Sequence, residues 1–182
     1  MIPVFSIVGK NSNTGKTTVM CRIIEALKAK GYRVGTIKHD VHGFDMDKPG
    51  KDTWKHAQAG SDLVMISSPE KFALIQKVEE ERRLEDIVAE IEGVDILITE
   101  GYKREKYPKL EVFRQAAADC LLCEEEELFA LVTDRPFGVK VPQYGFEDIS
   151  ELVELIEQRF LSAPPVSDKL LHEHRRVRRA AG

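Results

Sequence analysis

One stretch constrains this chain more than any other. Ser12-Asn13-Thr14-Gly15-Lys16-Thr17-Thr18 stands between an apolar run and a segment with helical spacing. Val4-Phe5-Ser6-Ile7-Val8, followed by Gly9, reads as a buried strand ending in a tight turn. From Lys16 on, Val19, Met20, Ile23, Ile24 and Leu27 fall on one helical face, and Gly31 supplies a stop. Strand, short polar loop and helix in that order suit an anion. Backbone N–H groups turn inward, the helix N-terminus adds the positive end of its dipole, and Gly15 allows close approach. Lys16 would reach the β- and γ-phosphates of a nucleotide, and the Thr17 hydroxyl would bind magnesium. The spacing departs from the usual G-x-x-x-x-G-K-[ST], because five residues separate Gly9 from Gly15 and Lys10 stands where the first glycine is expected. Either the loop carries one extra residue, or Gly9 ends the strand while Ser12 and Asn13 make the turn.

Further along, strand-like and helix-like segments alternate. Residues 32–38 read as a second strand. Residues 38–53 are polar, contain Gly43, Pro49 and Gly50, and are long for a plain connection, which marks a functional loop. Residues 62–67 and 72–78 look like two strands around Ser68-Pro69-Glu70, and Leu84, Ile87, Val88 and Ile91 mark a helix. Residues 94–99, 110–113 and 129–133 are further strands, and Ile149, Leu152, Val153, Ile156 and Phe160 define a last amphipathic helix. This order predicts an α/β fold of the phosphate-loop type, a mostly parallel sheet flanked by helices. The strands at 72–78 and 110–113 are expected as additional ones exposing edges. The domain is expected to span residues 1–161. Beyond it Pro164 and Pro165 interrupt the pattern, and Arg175, Arg176, Arg178 and Arg179 give residues 162–182 the character of a flexible basic tail.

Val94-Asp95-Ile96-Leu97-Ile98-Thr99-Glu100-Gly101 is an apolar strand ending in an acid and a glycine. Ligands of open α/β sheets lie beyond the carboxyl ends of the strands. Glu100 is therefore placed to hold magnesium or to position water, with a solvent-facing acid as the plain alternative, and Asp95 reads as structural. The net charge of −4 gives no electrostatic reason to expect nucleic acid or membrane. No apolar run approaches the ~20 residues of a membrane span. Met1-Ile2-Pro3 leads into the first strand without a basic leader region, and a cytoplasmic location is expected. Three cysteines argue against a disulfide framework. The Cys120-Leu121-Leu122-Cys123 pair lacks a second pair to complete a zinc site, and a pair of small, partly buried residues is the plain reading.

Three further segments, taken with the loop, resemble one family. They are Thr36-Ile37-Lys38-His39, the run Asp45-Met46-Asp47-Lys48-Pro49-Gly50-Lys51-Asp52-Thr53-Trp54, and Glu100-Gly101-Tyr102-Lys103 followed by Pro108-Lys109-Leu110-Glu111-Val112-Phe113-Arg114. Residues 3–160 resemble the molybdopterin-guanine dinucleotide biosynthesis protein B (MobB) family. The resemblance implies a GTP-binding protein with weak magnesium-dependent GTPase activity. It also implies a homodimer that assists molybdopterin or the guanylyltransferase joining GMP to it. On this basis Asn13, Thr14, Gly15, Lys16, Thr17 and Thr18 carry the phosphate-loop role. The Pro49-Gly50-Lys51-Asp52 segment looks like a switch in which Asp52 joins the magnesium shell or orients water, with a solvated surface turn as the alternative. No Asn-Lys-x-Asp motif is present, and Asp134, at the end of the 129–133 strand, is the best-placed acceptor for guanine. A small-molecule kinase using Arg82, Arg83 and the cluster 103–106 is one alternative function, and a non-catalytic nucleotide-dependent adaptor is another.

Overall fold

The computed structural model describes residues 2–161, so the basic segment 162–182 lies outside the described residues. Two compact units divide the chain: residues up to His39 together with those from Glu90 on, and Asp40–Ala89.

In the first unit, β1 (Val4–Val8) is buried along its whole length, as a strand covered on both faces must be. The loop after it leads into α1 (Lys16–Ala29). That helix stops where Gly31 is expected to stop it: the Gly31 N–H bonds to the Lys28 carbonyl at 3.0 Å and the Tyr32 N–H to Leu27 at 3.1 Å. Tyr32 is thereby spent on closing the helix, which is why β2 (Val34–Lys38) starts later than the apolar pattern suggests. β5 (Ile96–Glu100), β6 (Lys109–Phe113), β7 (Leu128–Thr133) and the two-residue β8 (Gln143–Tyr144) complete a sheet of order β2-β5-β1-β6-β7-β8. Every pairing in it is parallel.

The last helix, numbered α4 (Ile149–Phe160), packs against α1. Leu152, Val153 and Ile156 join Ile23 and Leu27 of α1 and Phe5 of β1 in one apolar core. Phe160 stacks on Phe5 at 5.3 Å and meets Phe129 edge-on at 5.1 Å. Each such side chain contributes about 1.5–3 kcal/mol through burial, so closure of this face is a leading stabilising term of the unit.

The second unit holds α2 (Asp52–Gln58), β3 (Leu63–Ser67) and β4 (Phe72–Gln76); α3 (Leu84–Glu90) closes the segment. β3 and β4 form an antiparallel hairpin separate from the main sheet. The α/β, mostly parallel architecture with added strands is thus the one the sequence predicts. One expectation is corrected. The strand at 110–113 exposes no edge: it is part of β6, which lies between β1 and β7 with all five residues buried. Its charged residues are satisfied inside, Lys109 by Glu127 and Glu111 by backbone N–H groups of Leu122 and Cys123 at 2.7 and 3.0 Å. No helix among the described residues is long and apolar enough to cross a membrane.

Candidate functional site

The parallel sheet brings the carboxyl ends of β1, β5, β6 and β7 to one side, where their loops meet. The loop after β1 turns through Asn13 (φ 61) and Gly15 (φ 99), both left-handed. Asparagine tolerates that region better than other side chains, and glycine enters it freely. Backbone of this kind, with left-handed residues between others, builds the concave nest in which anions are held. Thr14 lies fully buried between them.

The extra residue in the loop has a physical reading. A Cβ on Gly9 would lie 2.8 Å from both the Thr14 hydroxyl and the Val112 carbonyl. Gly9 therefore lets the strand end pass between β6 and the returning loop, and the added residue is accommodated beyond it. Gly9→Ala is expected to cost about 1–3 kcal/mol through overpacking against backbone, read as a lower midpoint of thermal unfolding. An unchanged midpoint would show slack at this strand end.

Lys16 folds back over the loop. Its ammonium donates to the Asn11 carbonyl at 2.8 Å and to the Thr14 hydroxyl at 3.4 Å. Burial holds its pKa below the ordinary lysine value, opposed by the charge of Glu100 and aided by those of Lys103 and Lys38. The Thr17 hydroxyl donates to the Glu100 carboxylate, 3.1 Å from each oxygen. The first turn of α1 and the end of β5 are thereby joined through an oxygen-rich pair next to Lys16. Thr18 is the next, exposed residue of α1.

On the other flank of the loop, a Cβ at Gly15 would lie 3.0 Å from the Phe146 ring and 3.7 Å from the Arg114 guanidinium, which itself rests 4.1 Å above that ring. Arg22 of α1 fixes this corner by donating to the Phe146 carbonyl at 2.5 Å and pairing with Glu147 at 2.8 Å. Both oxygens of Asp134 accept the Gln115 N–H, at 2.9 and 3.2 Å, fastening the loop after β7 to the loop after β6. A groove of about 460 Å³ runs here, with Asn11, Gln115, Asp119 and Arg135 in its wall.

Asp52 belongs to the second unit, where it starts α2, exposed and 3.4 Å from Lys55. Asp95 makes a 2.6 Å ion pair with Arg33, whose guanidinium holds the carboxyl below the usual carboxylate range, in keeping with a structural role. Of the CxxC pair, Cys120 is exposed and accepts from Lys10 at 2.9 Å, whereas Cys123 is buried and its thiol is pushed up to about 12 by that burial. Among the described residues no cluster of three or more His, Cys, Asp or Glu could hold a metal ion. Sequence reasoning gives neither Arg114 nor Asn11 a role at the loop, although Arg114 ends one of the segments that carry the family resemblance. The signal for Arg114 lies in its place directly after the fully buried β6, at the binding edge of a parallel sheet.

Comparison with known proteins follows the same lines. The family model for "Molybdopterin guanine dinucleotide synthesis protein B" matches residues 4–134. A molybdopterin-guanine dinucleotide biosynthesis adapter protein of Escherichia coli (strain K12) is 32% identical over 162 residues, covering 86% of this chain and 92% of that protein. The protein of the same name from Haemophilus influenzae is 30% identical over 158 residues, with 86% and 88% covered. Among solved structures, Bacillus subtilis MobB superposes with a TM-score of 0.67 at 24% identity, covering 87% of this chain and 98% of that one. A crystal structure of molybdopterin-guanine biosynthesis protein B gives a TM-score of 0.64 at 25% identity, with 85% and 98% covered.

Proposed function

Because the chain belongs to the molybdopterin guanine dinucleotide synthesis protein B family, we propose that it is a magnesium-dependent GTP-binding protein with slow GTPase activity, serving molybdopterin-guanine dinucleotide biosynthesis as an adapter. The adapter role in that biosynthesis comes with the family; nucleotide, metal and hydrolysis are the further reading. The observation that carries it is the contact of the Thr17 hydroxyl with both oxygens of Glu100, 3.1 Å each, beside the Lys16 ammonium.

Thr17 and Glu100 offer hard oxygen donors, which suit magnesium, an ion that takes its other ligands from phosphate oxygens and water. Held by Thr17 and Glu100, magnesium would supply positive charge against the phosphates. Lys16 has to exchange only a loop carbonyl and a hydroxyl for phosphate oxygens, so its ammonium is already held at the anion's place. The backbone around Asn13, Thr14, Gly15 and Thr18 cradles the phosphates. Glu100 orients the water that attacks, and Asp134 is the acceptor for the guanine base. Asp52 of the second unit acts as the switch acid in this reading. The partner is the guanylyltransferase that joins GMP to molybdopterin. Gel filtration of the two proteins together should show a complex whose yield changes when GTP is added. Co-elution indifferent to GTP would leave the adapter role without a nucleotide switch.

The reading includes a homodimer, supported by the hairpin. An isolated two-stranded hairpin is marginally stable in water. Here Leu63, Met65, Phe72 and Leu74 lie on one face of β3 and β4, Met65 directly opposite Leu74, at 40–65% exposure. A contiguous exposed apolar face marks an association surface, and a second copy of the chain offers the same face in return. Leu74→Lys is expected to shift light-scattering mass from dimer toward monomer while leaving the circular-dichroism spectrum of the fold in place. A wild type that is monomeric at micromolar concentration would contradict the dimer.

A further inference from the structure

The turn that follows Glu100 is built at a cost. Gly101 (φ 97) and Tyr102 (φ 51) are both left-handed, and a non-glycine residue there is strained. Such a conformation persists only where the surroundings enforce it. Tyr102 is buried, its ring stacked on His39 at 4.5 Å with 17° between planes, and the His39 N–H bonds to the Glu100 carbonyl at 2.9 Å. Two consecutive left-handed residues reverse the chain after β5 and bring Lys103 back to the phosphate loop. There its ammonium donates to the Lys10 carbonyl at 3.0 Å. Lys103 is exposed, so nothing in burial requires that it lie across the loop rather than extend into solvent.

We propose that Lys103 is a second phosphate-binding cation of this site, directed at the terminal phosphate of a bound nucleoside triphosphate. The assignment rests on the phosphate-loop reading above and deepens it. Three observations carry it. The first is position: Glu100 marks the side of the loop on which a metal and the terminal phosphate lie, and Lys103 follows it by three residues on the same turn. The second is charge. The ammonium groups of Lys16 and Lys103 donate to neighbouring carbonyls of the same loop, those of Asn11 and Lys10, so two like charges converge there and an anion between them relieves their repulsion. The third is capacity. An ammonium has three donors, and the bond to the Lys10 carbonyl uses one of them. With triphosphate bound, Lys16 serves the β–γ region while Lys103 closes over the γ-phosphate from the β5 side. A diphosphate, lacking that group, gains nothing from Lys103. The residue thereby gives the protein a means of telling GTP from GDP.

The test is calorimetric titration of the full chain with GTP and with GDP, magnesium present, for wild type, Lys103→Met and Lys103→Arg. Lys103→Met should weaken GTP binding about tenfold, the scale of one charge-assisted hydrogen bond, and leave GDP binding within about twofold. Lys103→Arg should retain most of the GTP affinity, because the cation is kept. Equal weakening of GTP and GDP would overturn the assignment and make Lys103 a brace of the loop backbone. Unchanged GTP affinity in Lys103→Met would overturn it too. A wild type that binds neither nucleotide would be a different failure, since it removes the phosphate-loop reading beneath this one.

Discussion

Lys16→Ala is expected to weaken GTP binding by about a hundredfold, the scale of losing more than one charge-assisted hydrogen bond to phosphate, while the protein stays folded. The expectation comes from what the ammonium does now. It lies half-buried over the loop, donating to the Asn11 carbonyl and the Thr14 hydroxyl, with its pKa depressed chiefly by burial. A cation held in that way is poorly satisfied by neutral oxygens, and phosphate oxygens would satisfy it far better. The apolar side of α1 belongs to Val19, Met20, Ile23 and Leu27, none of which the substitution touches. Thermal unfolding of the variant should therefore stay within a few degrees of wild type, about 1 kcal/mol or less by the usual conversion for a chain of this size. Calorimetry reads the binding. Equal GTP affinity in wild type and variant would mean that the loop does not bind phosphate through this residue.

Glu100→Gln should separate binding from turnover. Glutamine keeps the length of the side chain and an oxygen that can accept from Thr17, so the contact between α1 and β5 survives. What it removes is the negative charge that a divalent cation and a polarised water both need. GTP should still bind, whereas magnesium-dependent phosphate release should fall by about a hundredfold, the scale seen when a metal's surroundings or a water-orienting base are altered. Release at the wild-type rate under saturating magnesium would make Glu100 a structural partner of Thr17 and shift attention to Asp52.

The phosphate loop and its helix are legible in the sequence because local chemistry dictates them. A buried strand, left-handed turn residues and an amphipathic helix each leave a pattern a few residues long. Glu100 is legible for a topological reason, standing at the carboxyl end of an apolar strand, and its contact with Thr17 then needs only that β1 and β5 be neighbours. β6 is misread for the opposite reason. The order Lys109-Leu110-Glu111-Val112-Phe113 alternates like a strand with one wet face. The structure instead satisfies both side chains, Lys109 by an ion pair with Glu127 and Glu111 by hydrogen bonds from two backbone donors. Those partners lie 11 to 18 residues away, beyond the reach of a periodicity argument. β8 escapes because two residues carry no period at all. Lys103 shows a third kind of limit. Its charge is visible in the sequence, but its direction depends on the left-handed Tyr102, a conformation no residue preference would assign to tyrosine.

The corner formed by Arg114, Phe146 and Gly15 follows from the same topology. Parallel β6 and β8 deliver their following residues to the same end of the sheet as the phosphate loop. The Arg114 guanidinium then sits 4.1 Å above the Phe146 ring, a cation–aromatic contact that arginine makes better than lysine. Asp134 stands one strand over, holding Gln115. These side chains follow strands on the side of β1 opposite β5, the strand that ends in Glu100.

The central claim is that this loop binds a guanine nucleotide, and equilibrium dialysis of the wild-type chain against labelled GTP in magnesium buffer tests it most directly. The reading expects saturation at one GTP per chain, displacement by unlabelled GDP, and loss of retained label in Lys16→Ala. Retention by the wild-type chain no greater than that of a non-binding control protein would contradict it.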